Sequence, residues 1–87
     1  MMGRLYSGNL NAFMAAKCRL EKLGCEVTTS SWHDGLQMRD IVGVTVKLLP
    51  GYDILGKETF GHYDIDVVIN TATEWMHRLA EQLEHWK

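Results

Sequence analysis

Val44-Thr-Val-Lys-Leu-Leu-Pro-Gly-Tyr-Asp-Ile-Leu-Gly-Lys-Glu-Thr-Phe-Gly61 runs from a strand-like segment into a glycine-rich one. It opens with Val44 to Leu49, an apolar, β-branched run of strand length. The run stops at Pro50-Gly51, because Pro has no N–H for a ladder and Gly accepts backbone angles that other residues avoid. A strand ending in this way, followed by Tyr52, Asp53 and Gly56, reads as one that feeds a surface loop over residues 51–61. In open α/β sheets, ligands bind in the crevice at the carboxyl ends of the strands, so this loop is the expected site. The alternative at this point is an ordinary turn with a solvated Asp and Lys.

Upstream, Arg4-Leu-Tyr6 is a short apolar start that reads as a first strand, and Ser7-Gly8-Asn9 is a turn. Asn11 to Leu23 follows with Phe13, Ala16, Leu20 and Leu23 on one face at helical spacing, flanked by Met14 and Cys18, and Gly24 as terminator. A helix N-terminus after such a turn offers free N–H groups to a ligand; equally, Asn9 or Asn11 simply caps it. Cys25 to Thr29 alternates as a second strand, and Ser30 to Gly35 is a loop. Trp32 in that loop either stacks on a base or sugar or covers the core. Leu36 to Ile41 supplies one or two helical turns before the third strand.

Downstream, Asp64 to Ile69 reads as a fourth strand. Thr71-Ala-Thr-Glu74 has the form of a capping box and opens a helix whose apolar face is Ala72, Trp75, Met76, Leu79, Leu83 and Trp86. Strands alternating with helices imply a mainly parallel sheet with helices on its faces. The expected fold is therefore α/β: a small Rossmann-like or flavodoxin-like three-layer sandwich, forming one domain over residues 1–87.

Composition narrows the function. The chain has 87 residues, 46% of them hydrophobic, and a formal net charge of -2. Phosphate binding needs clustered Lys and Arg, so nucleic acid is not the expected partner. There is no apolar run of membrane-spanning length and no apolar leader, which predicts a cytoplasmic protein without membrane contact. Cys18 and Cys25 fit neither CxxC nor a disulfide framework and read as reduced packing residues. Histidines 33, 62, 77 and 85 lack metal-ligand spacing, so neither a metal nor a cofactor is expected. Asp34, Asp40, Asp53, Glu58 and Asp64 lie near strand ends, from which a carboxylate nucleophile or an acid/base pair is available. So small a domain, with Trp86 on an apolar face next to the end of the sequence, is expected to form a homo-oligomer.

Leu5-Tyr-Ser-Gly8, Ala12-Phe13 and Leu20-x-x-Leu-Gly-Cys-Glu-Val27 together resemble the start of the nucleoside 2-deoxyribosyltransferase-like proteins. Leu48-Leu-Pro-Gly-Tyr52 followed by Gly56 is similar to the Leu-Pro-Gly-Trp…Gly segment of their small phage and bacterial members. The resemblance covers most of the chain. It implies a Rossmann-like fold, a nucleoside or nucleotide as partner, self-association, and hydrolysis or transfer at an N-glycosidic bond. It makes Glu58 the nucleophile, with Tyr6 and Asp40 completing the catalytic group. The family glutamate follows the glycine by four residues, the place of Phe60 here, whereas Glu58 follows Gly56 by two. Ser7, Gly8, Asn9, Trp32, Gly51, Tyr52 and Gly56 are the expected substrate-binding residues. The alternative reading is a catalytically inactive protein-interaction module, a small phage-type regulator or inhibitor, with Trp75, Met76 and Trp86 serving partners.

Overall fold

The computed structural model describes residues 2–51 and 53–86, with side chains described over residues 10–51 and 53–85. The elements run α1 (Met2–Lys22), β1 (Cys25–Asp34), β2 (Arg39–Leu48), β3 (Asp53–His62) and α2 (Ile65–Trp86). The three strands form one sheet in the order β1-β2-β3, and both pairings are antiparallel. Both helices pack on one face of it, α1 over β1 and α2 over β2 and β3. The expected parallel, three-layer Rossmann-like or flavodoxin-like sandwich is thus corrected to a two-layer α+β fold with an antiparallel meander.

Chain length between strands is the reason. Parallel neighbours need a crossover of a dozen or more residues. Only residues 35–38 separate β1 from β2, and only residues 49–52 separate β2 from β3. The short helix expected over Leu36 to Ile41 does not form, because those residues make a hairpin and the start of β2. In that hairpin the Asp34 carboxylate accepts from the Leu36 and Gln37 N–H groups at 3.0 and 3.4 Å, and Met38 takes a φ of 55°. The loop expected over residues 51–61 is mostly strand β3.

Two further corrections concern the helices. Residues 4–9, read as a strand and turn, continue α1 towards its N-terminus. Extending an existing helix adds a hydrogen bond for each residue fixed, whereas an isolated strand gains none. At its C-terminus Gly24 adopts a φ of 95°, and its N–H donates to the Glu21 carbonyl at 3.1 Å. The fourth strand over Asp64 to Ile69 is the first part of α2. Ile65, Val68, Ile69, Ala72 and Met76 recur at helical spacing; Val68 and Ile69 are buried while Val67 is exposed, which a strand's alternation would not give. Asp64 is the cap: its carboxylate accepts from the Asp66 N–H at 3.0 Å. Thr71 is interior to α2, its hydroxyl donating to the Val67 carbonyl at 2.7 Å.

The core lies between the layers. Phe13, Ala16 and Leu20 of α1 and Val68, Ala72, Met76, Ala80 and Leu83 of α2 meet Cys25, Val27, Val42, Val44 and Val46 of the sheet. The ladder shifts between Val46 and Lys47, which pair with Gly56 and Ile54, so Leu55 is the extra residue of a bulge.

Candidate protein-binding surface

The residues expected to form a site lie on several elements. Glu58 is exposed in β3 opposite Val44, and its Oε1 accepts from the Thr59 N–H at 3.3 Å. Asp40 is in β2 opposite His62, with its Oδ1 3.0 Å from His33 Nδ1. Asp40 and Val44 are four positions apart in β2, roughly 13 Å along the strand. Trp32 is half exposed in β1 and pairs with Ile41. Strand side chains alternate between faces, so Trp32 and Glu58 lie on opposite sides of the sheet. Gly51 is in the β2–β3 turn, and Gly56 lies in β3 beneath Trp75 and Leu79. Tyr6, Ser7, Gly8 and Asn9 belong to the α1 backbone, with side chains outside the described set, and Tyr52 lies outside the described residues altogether.

Two surfaces stand out instead. The first is the sheet face that carries no helix. Trp32 lies across Gly43 there, its Cζ3 3.8 Å from where a Cβ would stand. Arg39 crosses Gly61 on the same face, with Cζ 3.9 Å from the corresponding position, and its Nη2 is 3.9 Å from Asp34 Oδ2. Between these two long side chains Ile41 is nearly buried without a helix above it. The second surface is an open, mainly apolar groove of about 380 Å³ on the helix side. Leu10, Phe13 and Met14 of α1, Thr29 to Ser31 of β1, and Val42, Ile65 and Ile69 line it. Leu10 and Met14 are each about half exposed.

At the other end of α1 the two helices are clipped together. Arg19 Nε and Nη2 donate to Glu84 at 2.9 and 2.7 Å, and Arg19 Nη1 lies 2.9 Å from His77 Nδ1. The hydrogen bonds to Arg19 hold the Glu84 carboxyl below its ordinary range, and those to Glu84 hold the Arg19 guanidinium above its own.

Sequence reading missed the groove because Leu10 precedes the helix it placed over Asn11 to Leu23. The spacing of Leu10, Met14 and Cys18, four residues apart on a face beside the buried one, is the signal that marks the exposed stripe.

Against known proteins, the profile described as "Bacteriophage T7-like, gene 1.2" matches residues 2–87. A protein of Escherichia phage T7 described as "Inhibitor of dGTPase" is 38% identical over 86 residues, 99% of this chain and 100% of that protein. The "Gene 1.2 protein" of Enterobacteria phage T3 is 33% identical over 91 residues, 100% of this chain and 99% of that protein. The chain belongs to the T7-like gene 1.2 family. The assignment to the nucleoside 2-deoxyribosyltransferase-like proteins is therefore corrected, and so is the nucleoside or nucleotide partner drawn from it. Its motifs were short: Leu48 to Gly51 is the end of a strand and a turn between antiparallel strands, and Leu5 to Gly8 is helix. The phage inhibitor reading, a protein-interaction module, fits these relatives better than nucleoside chemistry does.

Proposed function

From its place in the T7-like gene 1.2 family, we propose that this chain is an inhibitor of a dGTPase and acts by binding the enzyme as a folded protein. The observation that carries this reading is the 38% identity, over essentially the full length of both chains, to the phage T7 protein described as an inhibitor of dGTPase. The geometry is suited to protein contact. The two surfaces just described are an open sheet face and an open groove, both broad and presented by regular elements, as docking surfaces are. Acting on a nucleotide-hydrolysing enzyme of the host carries a cytoplasmic location with it, and no helix among the described residues is long and apolar enough to cross a membrane.

The test is titration of the purified chain into a dGTPase from a host of these phages, following dGTP consumption and running the mixture on a sizing column. Expected are loss of turnover that saturates at a fixed ratio of the two proteins, and co-elution. Unchanged turnover at a large excess of the chain, with no complex on the column, would overturn the proposal.

A further inference from the structure

The outer edge of β1 is built differently from the outer edge of β3. The Leu49 N–H donates to the Gly24 carbonyl at 3.0 Å, which makes Gly24 and Leu49 a hydrogen-bonded pair just before the β1–β2 ladder. Such pairs alternate in an antiparallel ladder. In the β1–β2 register the next ones are Glu26–Lys47, Thr28–Thr45, Ser30–Gly43 and Trp32–Ile41. Those β1 residues spend their backbone groups on β2. The N–H and C=O of Val27, Thr29 and Ser31 therefore point away from the sheet, and among the described residues nothing pairs with them.

An open edge of this kind invites pairing with another chain, and proteins ordinarily blunt it with Lys, Pro or a bulge. β3 carries a bulge at Leu55 and the charged pair Lys57 and Glu58. β1 carries no such device from Val27 to Trp32, where every residue is uncharged. The helix layer also leaves β1 uncovered beyond Val27. Cys25 and Val27 are buried, but Thr29 and Ser31, which point to the same side, are exposed. The apolar groove opens beside them, Thr29 and Ser31 lining it together with Leu10 and Met14 of α1 and Ile65 and Ile69 of α2.

We propose that the free edge of β1 over Val27 to Ser31 takes up an extended segment of the protein partner as a fourth strand, whose side chains at alternate positions fill the groove beneath Leu10 and Met14. This deepens the dGTPase-inhibitor reading and rests on it. Main-chain hydrogen bonds to Val27, Thr29 and Ser31 would supply affinity, and the groove would select apolar residues two apart in the incoming segment. The occupant is a different chain rather than a second copy. In a β1–β1 pairing the copy's Cys25 and Val27 would stay buried in its own core, which leaves Thr29, Ser31 and His33 of that face to meet the groove, and polar side chains do not match its apolar walls.

Thr29→Pro tests this directly. It removes an outward N–H without touching the β1–β2 ladder, a place where an edge strand accepts Pro. Thr29→Val keeps the N–H and is the companion variant. With wild-type chain and dGTPase, binding is expected to weaken at least tenfold in Thr29→Pro and in Met14→Asp, and to stay within threefold in Thr29→Val. Amide exchange on the wild-type complex provides a readout that needs no variant to fold: the Val27, Thr29 and Ser31 amides should slow on adding the enzyme. If wild type binds and inhibits but these amides do not slow, or folded Thr29→Pro binds like wild type, the edge assignment fails while the inhibitor reading stands. If wild type neither binds nor inhibits, both fail. If the wild-type chain alone is a dimer that Thr29→Pro converts to a monomer with enzyme binding unchanged, the edge belongs to a second copy and the proposal is overturned.

Discussion

Gly56 of β3 lies against the indole of Trp75 on α2, so close that a Cβ at position 56 would stand 2.9 Å from Trp75 Cζ2 and 3.2 Å from Leu79 Cδ1. Trp75 is held in turn by Phe60, whose ring meets it edge-on at a centroid distance of 5.8 Å. The glycine is what lets α2 settle onto the edge strand. Gly56→Ala is therefore expected to cost about 1–3 kcal/mol, the usual penalty of overpacking, read by urea denaturation. Pairing it with Trp75→Leu should recover part of that loss, since the two sites are in contact. Full additivity of the two changes would show that the clash is not the cause.

The start of α2 gives a second prediction. Asp64→Ala should cost about 1 kcal/mol, because it removes the acceptor for the Asp66 N–H. Thr71→Ala should change stability by less than about 0.5 kcal/mol, since Thr71 is an exposed interior position and Ala is the better helix former. Were Thr71 the cap, the order of the two effects would reverse, and thermal melts of the two variants decide it.

The Arg19–Glu84 pair carries a pH dependence. The folded-state pKa of Glu84 is lowered by its hydrogen bonds to Arg19, so the pair's contribution is present above the unfolded carboxyl pKa. It is lost as pH falls through the folded pKa. Glu84→Gln should thus lower Tm modestly at neutral pH, and the gap to wild type should close through the acid range. Both side chains are substantially exposed, so high salt should narrow the gap at neutral pH as well. A gap that widens in acid would contradict this sign.

Met76 is fully buried between α2 and the sheet, and Leu36 is almost fully exposed in the β1–β2 turn. Met76→Ala is expected to destabilise by about 2–5 kcal/mol through lost burial and the cavity left behind. Leu36→Ala should leave the urea midpoint almost where it was. Equal effects would mean that the core is not where the two layers meet.

Local features that rest on side-chain periodicity and on single residues with special backbones were legible in the residues alone. The faces Phe13, Ala16, Leu20 and Ala72, Met76, Leu83 are buried as their spacing demands, and Gly24 ends α1 with a positive φ. Val44 to Leu48 and Cys25 to Thr29 are strand, as β-branched runs should be. Direction, layer and reach depended on packing between elements. The Asp64 to Ile69 run is as good a strand as a helix by composition, and it becomes helix because Val68 and Ile69 then join one buried face with Ala72 and Met76. Strand direction followed from the short links at residues 35–38 and 49–52, which exclude a crossover once no helix forms between the strands. The surface was least legible of all. The open edge of β1 and the groove beside Leu10 and Met14 exist only because α1 covers Val27 but not Thr29 or Ser31, a matter of how two layers overlap that no stretch of sequence contains.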